Sequence, residues 1–449
     1  MAGTGYRVLI FSASMGAGHD GAARELAARL RADGQNAEVR DFLEAGPLRI
    51  GHALRSGYEF ELKHVPSAYD ATYRFWHRVP WLCPLVAWLV CVLTRRRVRR
   101  HIRAMDANVV VSTYPLSTLC LGRLRRTGHL DIPAVNFITD FGVHPLWVDR
   151  GMDLNLAVHD APARAAEART GQPSRACGPV VSDAFWPDRR PNPSARADLR
   201  ADLGLRPADA AVLVVAGSWG VGGIEQTLQA AAQGAVVPVV VCGRDEALRQ
   251  RVQALVDQSG WRAVVLGWTD RMPQLMAACD ALVENAGGLT SLEAMRAGLP
   301  VVSFRPIAGH GKDNTAAMSA AGVAHLATTP EDLADALGRL TRPGPDRTAQ
   351  IAAGESMFRE DAAALVTRLA AAPVPIPVTA RPPALVAARL LVSLGAALGL
   401  VWAGLTTGVG VAAASGAGVA HPMVDAGRVA FIGVRLDASQ IQDPQIQSE

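Results

Sequence analysis

The chain has 449 residues, a formal net charge of +4 at pH 7, and 49% hydrophobic residues together with 42 glycines and 28 prolines. This length exceeds what one ordinary core holds, and the composition excludes a disordered or fibrous protein, so two packed α/β domains with connectors are expected. Arginine supplies nearly all of the positive charge, because Lys63 and Lys312 are the only lysines among 45 basic residues. The arginines are scattered rather than gathered in one stripe, which argues against a nucleic-acid partner.

The cysteines and the N-terminus bear on the cellular compartment. The six cysteines lie far apart without Cys-x-x-Cys spacing, so neither a zinc site nor a disulfide framework is indicated. The chain enters an apolar segment at residues 6–11 without the basic region, apolar core and cleavage site of a signal peptide. Both features predict that the catalytic part stays in the reducing cytoplasm.

Short apolar runs alternate with helical patterns, which predicts parallel sheets. The expected buried strands are Val8–Phe11, Val109–Ser112, Ala134–Thr139, Val212–Ala216, Val237–Cys242, Ala263–Leu266, Ala281–Val283 and Val301–Phe304. Three prolines within Trp186–Pro193 interrupt this rhythm, which restarts behind them, so a domain boundary is expected there. The predicted organisation is a first domain at 1–186, a second at 194–372, a proline-rich linker at 373–383, a hydrophobic segment at 384–420 and a tail at 421–449.

The hydrophobic segment carries the first of two membrane signals. Residues 390–420 contain no charged side chain. This uncharged run is longer than the roughly 20 apolar residues that cross a bilayer. One transmembrane helix is therefore expected near Ala384–Leu405, the alternative being a glycine- and alanine-rich buried or flexible tail. Arg381 and Arg389 precede the uncharged run at 390–420, which places the N-terminal side of the helix in the cytoplasm.

The second membrane signal lies in the first domain. The apolar segment Val79–Leu93 contains Trp81 and Trp88 and runs into the basic cluster Arg95–Arg100. Interfacial tryptophans followed by arginines are typical of a helix that lies on an anionic membrane surface. The alternative is a core helix with a solvated basic end.

A small-residue turn follows the first expected strand and opens a helix. Gly16, Gly18 and Gly21 in this turn match the dinucleotide fingerprint Gly-x-Gly-x-x-Gly, which would also need an acidic residue such as Asp41 at the end of a second strand at 37–40. His19 in the same turn favours another interpretation, because a histidine at the carboxyl end of a strand points into the cleft and suits a general base. The alternative is a helix-capping or merely polar turn histidine.

The second domain contains three further candidate ligand segments. The loop Ala216–Gly223 follows a strand, precedes a helix, and would face the first loop across a cleft. The segment Val283–Ala294 reads as a strand, a glycine turn and a helix start, whose free amides suit a diphosphate. Glu293 in that helix can accept hydrogen bonds from two ribose hydroxyls, although a first-turn glutamate is also favoured by the helix dipole. The polar loop Arg305–Asn314 is expected to line the same cleft.

Together these motifs resemble the monogalactosyldiacylglycerol-synthase-like glycosyltransferases, relatives of the lipid II-forming enzyme MurG. The resemblance covers roughly residues 7 to 370. In the second domain it is carried by Gly217-Ser218-x-Gly220, Gly267-Trp268-x-Asp270-x-Met272-Pro273, Gly287–Ala294 and Ala297–Pro300. In the first domain, Gly16-Ala17-Gly18-His19 resembles the family's Gly-Gly-Gly-His, and Thr139-Asp140-Phe141 with His144 and Trp147 resembles its Thr-Asp-x-x-x-His-x-x-Trp segment.

The resemblance implies a GT-B fold, an α/β architecture in which two Rossmann-like domains with parallel sheets face a central cleft. The first domain would contact the acceptor and the membrane, with His19 as the base that deprotonates the acceptor hydroxyl. The other implied acceptor-side residues are Gly16, Gly18, Asp140, His144 and Trp147. The implied donor-binding residues are Gly217, Ser218, Gly220, Gly287, Gly288, Leu289, Thr290, Glu293, His310, Lys312, Asp313 and Asn314.

The implied donor residues have distinct roles. Glu293 would hold the uridine ribose, and the Gly217–Gly220 and Gly287–Thr290 segments would contact phosphates. His310 or Lys312 would offset charge on the leaving diphosphate. The two residues that follow Lys312 would reach the sugar.

The expected reaction is transfer of a hexose from UDP-glucose or UDP-galactose, with inversion, to a membrane lipid, most simply diacylglycerol. It would take place on an anionic membrane surface at the cytoplasmic face, with the protein peripheral or anchored by one C-terminal helix. No cofactor and no metal are expected, because the chain lacks an Asp-x-Asp motif.

Three alternatives stay open. One is MurG-like transfer to a polyprenyl-linked or other hydrophobic acceptor. Another is a non-catalytic nucleotide-sugar-binding protein that keeps only the fold. The third is an NAD-dependent dehydrogenase, which rests on the glycine fingerprint alone.

Two features depart from the family pattern. Ala17 replaces the middle glycine of the first triplet, which should be tolerated if its φ is negative. The C-terminal hydrophobic segment and tail lie outside the resemblance.

Overall fold

A computed structural model describes residues 5–47, 50–186, 192–217 and 219–372 of the chain. These residues belong to one compact unit, Met1–Ala380. The predicted linker, hydrophobic segment and tail lie outside the described residues, as do Ser218 and residues 187–191 of the predicted domain boundary. The proposed domain bounds therefore stay a prediction.

The first half of the unit contains a parallel six-stranded sheet in the order β2-β1-β3-β4-β5-β6. Its strands are β1 (Arg7–Ser12), β2 (Asn36–Asp41), β3 (Val109–Ser112), β4 (Ala134–Ile138), β5 (Leu154–Ala157) and β6 (Ser174–Ala176). Pairing is in register with Val8 opposite both Ala37 and Val109. The buried apolar runs at its centre need helices on both faces, as in other parallel sheets.

The second half repeats this arrangement in the order β12-β11-β10-β7-β8-β9. Its strands are β7 (Ala211–Val215), β8 (Val237–Val241), β9 (Val264–Leu266), β10 (Ala281–Glu284), β11 (Val301–Phe304) and β12 (His325–Ala327). All eight strands expected from the apolar runs are present, each within one residue of its predicted ends. The expectation of two parallel sheets is confirmed.

The helices cover the sheets and include a block that follows β2. They are α1 (Gly18–Ala32), α2 (Ile50–His64), α3 (Pro66–Arg78), α4 (Cys83–Met105), α5 (Pro115–Arg126), α6 (Asp160–Thr170), α7 (Pro193–Asp202), α8 (Ile224–Ala232), α9 (Glu246–Ser259), α10 (Met272–Ala278), α11 (Leu289–Arg296), α12 (His310–Ala320), α13 (Pro330–Leu340), α14 (Pro345–Glu355) and α15 (Ala362–Ala371). The last helix, α15, packs against α1, so the chain returns to its first half.

A continuous hydrophobic core joins the two halves. It includes Leu26 of α1, Leu292 of α11 and Leu365 of α15, all buried. The outer faces of the two sheets carry separate cores. Because the shared core fixes the halves against each other, loops from both sheets are held at one cleft.

The strand order reverses once in each sheet, between β1 and β3 in the first and between β7 and β10 in the second. Connections leave such a switch point toward opposite faces and open a crevice at the carboxyl ends of the strands. The topology therefore predicts a ligand site at the loops that follow these four strands.

Candidate active site

One cavity of about 440 Å³ is lined by the loops at both switch points. The predicted site residues that line it are Gly16, Gly18, His19, Asp140, His144, Trp147, Gly217, Gly288, Leu289, Thr290, His310 and Asn314. The predicted residues outside its lining are Gly220, Gly287, Glu293, Lys312 and Asp313. The structure thus brings most of the predicted acceptor-side and donor-side residues to one place.

The loop after β1 turns at Gly16, whose φ of 91° lies in the left-handed region. Ala17 has a φ of −87°, so alanine fits this position without strain. A Cβ atom on Gly21 would lie only 2.3 Å from Leu289 Cδ2. This third glycine is therefore explained by the close approach of α1 to α11, without a bound dinucleotide.

His19 is the second residue of α1 and is enclosed by two aromatic rings. The ring centroids of Tyr114 and Trp147 lie 5.3 and 5.5 Å from the imidazole. Burial lowers the pKa of His19, although the nearby Asp140 carboxylate opposes that shift. The imidazole is consequently neutral at pH 7, the state in which it can accept a proton.

Thr139 lies beside one ring nitrogen of His19. Its Oγ1 lies 3.4 Å from His19 Nδ1. When Nδ1–H donates to this oxygen, the lone pair is on Nε2. His19 can then act as a base through Nε2.

Asp140 follows β4 and is held by hydrogen bonds to both carboxylate oxygens. Trp147 Nε1 donates to Oδ2 at 2.8 Å, and Asn314 Nδ2 donates to Oδ1 at 3.2 Å. Asn314 Oδ1 in turn accepts from the backbone N–H of Gly142 at 2.8 Å. Because Asn314 belongs to α12 of the second half, this network connects the two walls of the cavity.

His144 also lines the cavity, but both of its ring nitrogens are engaged. Its Nδ1 accepts from the backbone N–H of Leu146 at 3.2 Å, and Nε2 lies 3.3 Å from the backbone carbonyl of Tyr73. Burial lowers the pKa of His144 to about 4. This residue therefore supports α3 and has no free nitrogen for base catalysis.

In the second half, the glycine turn after β10 is organised by the buried carboxylate of Glu284. It accepts from the backbone N–H groups of Ala286 and Gly287 at 2.7 and 2.6 Å and from the hydroxyl of Ser303. The amide of Gly287 is therefore occupied within the protein. The amides at 288–290 begin α11 and have no intrahelical acceptors, so they are the ones suited to a diphosphate.

The two glycines predicted in the loop after β7 lie in different surroundings. Gly217 lines the cavity. Gly220 instead faces the second-half helix α9, because a Cβ atom there would lie 2.9 Å from Asp245 Cβ.

The loop after β11 offers two candidate cationic groups, which the structure places differently. His310 begins α12 and lines the cavity, with Tyr69 Oη 2.9 Å from its Nδ1. Lys312 Nζ pairs with Asp70 Oδ2 at 3.2 Å, outside the cavity lining. Asp313 likewise turns to α3, where it accepts from a tyrosine hydroxyl at 3.0 Å. Of the two candidates, His310 is the one beside the cavity.

Glu293 lies within α11, outside the residues that line the cavity. Burial raises the pKa of its carboxyl group to about 8. No hydrogen bond to this carboxyl group is present among the described residues. Its polar atoms thus have unused bonding capacity in a low-dielectric setting.

Helices α2 and α3 form much of the first-half wall, although no sequence motif pointed to them. Tyr58, Tyr69, Tyr73 and Trp76 from these helices line the cavity. The clustering of tyrosines could have indicated these helices, because three of the five tyrosines in the whole chain fall within residues 58–73. Tyr69 and Tyr73 are also four residues apart, which puts them on one helix face.

Helices α2 to α4 also expose apolar side chains to solvent. These are Ile50, Leu54, Phe60, Val65, Phe75, Trp81, Trp88, Leu89, Val92 and Leu93, including the connecting turns. The arginine cluster Arg95–Arg100 continues the same helix as the last four. We call this combined surface the apolar-basic face.

The membrane-spanning capacity of the described part of the chain is limited. No single helix there is both long and apolar enough to cross a bilayer, but the pair Pro66–Arg78 and Pro80–Met105, bent by 83°, passes by length and composition. The described residues also contain no cluster of three or more His, Cys, Asp or Glu that could hold a metal ion. All six cysteines are buried and unpaired.

Two protein-family models match this chain, one in each half. The Monogalactosyldiacylglycerol (MGDG) synthase model matches residues 19–181, and the Glycosyl transferases group 1 model matches residues 210–342. Each half of the fold therefore carries its own family match. His19 begins the first matched region, and all the second-half cavity loops fall within the second.

A curated relative of this chain is the processive diacylglycerol beta-glucosyltransferase of Bacillus subtilis (strain 168). It is 26% identical over 249 residues, which cover 55% of this chain. The chain spans 63% of that relative's length.

Solved structures share the fold at low sequence identity. Medicago truncatula UGT71G1 complexed with UDP-glucose matches with a TM-score of 0.51 and 13% identity, over 82% of this chain and 98% of that one. Sucrose-phosphate synthase from Thermosynechococcus elongatus matches with a TM-score of 0.51 and 16% identity, over 80% of this chain and 96% of that one. The GT-B fold expected from the sequence is confirmed.

Proposed function

We propose that this protein is an inverting glycosyltransferase that moves a hexose from a UDP-sugar to diacylglycerol. The observation that carries the proposal is one cavity in which the neutral imidazole of His19 and the open helix start at 288–290 face the same space. Inverting transfer needs a base on the acceptor side and stabilisation of the leaving group on the donor side. The two walls supply one each.

The chemistry follows from these two groups. His19 Nε2 takes the proton of the acceptor hydroxyl as that oxygen forms a bond to the anomeric carbon. The bond from the anomeric carbon to the diphosphate oxygen breaks on the opposite face, and UDP leaves with the bonding electrons. Amides of the α11 start and the imidazole of His310 stabilise the negative charge that develops on the diphosphate.

A lipid acceptor is supported by the first-half wall. Tyr58, Tyr69, Tyr73 and Trp76 provide apolar surface with hydroxyl and indole groups at its edge, which suits an acceptor with a hydrophobic body and one reacting hydroxyl. The same helices carry the apolar-basic face. The name of the Bacillus subtilis relative specifies diacylglycerol as acceptor and glucose as the sugar, and we assign both to this chain as the first combination to test.

We also place the protein at the cytoplasmic face of the cell membrane. The tryptophans of the apolar-basic face would enter the interface while the arginines meet anionic head groups. Free cysteines throughout the described unit agree with a reducing compartment.

The proposal is tested by incubating the purified full chain with anionic vesicles that contain diacylglycerol and either UDP-glucose or UDP-galactose. Released UDP is quantified, and lipid products are separated by thin-layer chromatography. A glycolipid band with one donor is expected, and bands of lower mobility would reveal addition of more than one sugar. Parallel vesicles that carry a polyprenyl-linked acceptor test MurG-like transfer.

Two outcomes would reject the assignment. A product only with the polyprenyl-linked acceptor would replace diacylglycerol with that substrate. Binding of UDP without product from any acceptor would identify a nucleotide-sugar-binding protein that has kept the fold alone.

A further inference from the structure

A hydrogen bond between opposite walls of the cavity joins Tyr69 to His310. Tyr69 Oη in α3 lies 2.9 Å from His310 Nδ1 at the start of α12. The phenol ring is packed tightly there, since a Cβ atom on Gly309 would lie 2.5 Å from Tyr69 Cε1. The neighbouring Asp70 carboxylate accepts the backbone N–H of Gly309 at 3.0 Å. Helix α3 is thus anchored on the residues that present His310.

The surroundings of the Tyr69 hydroxyl determine where its proton points. Burial raises the pKa of Tyr69 to about 12, although the Tyr58 hydroxyl and the His310 backbone oppose that shift, so the hydroxyl keeps its proton at neutral pH. Among the described residues, His310 Nδ1 is the partner within hydrogen-bond distance of this hydroxyl, and we therefore infer that the proton is donated to it.

The tautomer of His310 follows from this direction. A neutral imidazole whose Nδ1 accepts a hydrogen bond carries its proton on Nε2. Burial lowers the pKa of His310, which keeps the ring neutral at pH 7. His310 therefore offers an N–H group rather than a positive charge.

We propose that Tyr69 is a positioning residue that fixes His310 as the neutral Nε2–H tautomer, so that this N–H donates to the diphosphate of the UDP-sugar. The assignment of the diphosphate as the acceptor rests on the proposed function. It also means that the donor site in the second half is completed by a side chain of the first half. A preoriented neutral donor stabilises developing oxyanion charge without the cost of desolvating an imidazolium.

The test compares Tyr69→Phe with the unchanged protein in two measurements. Phenylalanine keeps the ring packing against Gly309 and removes only the hydroxyl. Long-range ¹H–¹⁵N spectra of protein labelled at histidine report the tautomer of each ring, with His310 assigned by its loss in His310→Gln. Calorimetric titration with UDP reports affinity without requiring any acceptor.

The unchanged protein should show the Nε2–H pattern for His310, and Tyr69→Phe should show a mixture of tautomers. The variant should bind UDP about tenfold more weakly and, where hexose transfer is measurable, should lose at least as much kcat. Tyr73→Phe is the matched control. It removes a cross-cavity hydroxyl one turn away, which donates to Asp313 at 3.0 Å, and it should leave the His310 spectrum unchanged.

An Nδ1–H pattern in the unchanged protein, or equal UDP affinity and an unaltered His310 spectrum in Tyr69→Phe, would overturn the proposal. Failure of hexose transfer in the unchanged protein is a separate result. It would reject the proposed reaction, while the tautomer and UDP measurements would still decide the role of Tyr69.

Discussion

The two walls of the cavity differ in the side chains that they present. The first-half wall presents large side chains, among them Tyr58, Tyr73, Trp76, Tyr114 and Trp147. The second-half part of the lining contains a single Phe, Tyr or Trp residue, Trp219, and its loops present small residues, among them Ala216, Gly217, Ala286, Gly288 and Thr290. Aromatic surface buries apolar groups, whereas small residues let a ligand reach backbone amides. The contrast indicates that acceptor and donor are recognised by different physical means in one fold.

The N-termini of the helices that begin at the cavity have one feature in common. Away from the cavity, α7, α9, α13 and α15 have side-chain caps from Asn192, Asp245, Thr329 and Asp361, whereas α10 and α14 have none. The helices α1, α11 and α12 begin at the cavity without a side-chain cap. Their first-turn amides are therefore left for loops, water or ligand.

The largest expected effect comes from removing the one base on the first-half wall. His19→Ala should lower turnover by about 10² to 10⁴-fold, the usual contribution of a general base. UDP affinity should change less than about twofold, because nucleotide contacts lie on the opposite wall. Steady-state UDP release and calorimetric titration with UDP measure the two quantities.

A matched control for this variant is His325→Ala. His325 pairs with Asp332 in the second half at 2.8 Å and does not line the cavity, so its loss should leave turnover unchanged. Normal turnover in His19→Ala would remove this histidine from the mechanism. Equal loss of turnover and UDP affinity would instead show that the two walls are not separable.

An intermediate effect is expected at the apolar-basic face, which extends the first-half wall to the outside. Trp81 and Trp88 are 61% and 40% exposed. The double variant Trp81→Ser with Trp88→Ser should bind anionic vesicles about 30-fold more weakly, because burial of each indole at an interface contributes on the order of 1 kcal/mol. Vesicle co-sedimentation measures the binding, and turnover on a detergent-solubilised acceptor should be retained.

Trp268→Ser supplies the control, since Trp268 is 51% exposed but belongs to the second half. Its loss should leave vesicle binding unchanged. Equal weakening by both changes would mean that vesicle binding has no preferred face.

Central strands were predictable from sequence because they are uninterrupted apolar runs, as in β3 and β7. The eight apolar runs leave out β2, which was expected at 37–40 on other grounds, and β5, β6 and β12, which were not expected. β5 has only four residues, and its buried Asn155, whose Oδ1 accepts from Asn136 Nδ2 at 3.1 Å, leaves too few apolar positions for a strand signal. β6 and β12 are three-residue edge strands, too short for a periodic signal.

The candidate site also contains residues that the sequence predicts and residues that it does not. The position of its loop residues at the cavity was predictable because they directly follow parallel strands, whose carboxyl ends meet at one edge of a sheet. The partners of those residues were not, since Tyr69 and Asp70 lie more than 200 positions from His310 and Lys312. Only the tertiary structure shows that α3 takes Lys312 away from the cavity and leaves His310 beside it.

The smallest expected effect tests the second-half wall through Glu293. Its pKa of about 8 in the folded state lies above the ordinary value of 4.5. Between about pH 4.5 and 8 the folded protein therefore keeps a proton on Glu293 that the unfolded chain has already lost. Stability contributed at this position therefore falls as pH rises through that window and is fully lost above pH 8. Glu293→Gln should raise the free energy of unfolding by about 1 kcal/mol at pH 8.5 and by little at pH 4.5. Denaturant unfolding at the two pH values measures the difference.

Glu331→Gln is the opposite case and serves as the control. Hydrogen bonds at the start of α13 lower the pKa of Glu331, so its replacement should not stabilise the protein at high pH. In Glu293→Gln the neutral amide should also weaken UDP binding at pH 8.5, where the Glu293 carboxyl group is ionised and can accept hydrogen bonds from both ribose hydroxyls, because an amide oxygen is the weaker acceptor. If Glu293→Gln is stabilised at pH 8.5 yet binds UDP as tightly as the unchanged protein, the Glu293 carboxyl group is desolvated but takes no part in nucleotide binding. The second-half wall would then recognise the nucleotide through its backbone and His310 without this side chain.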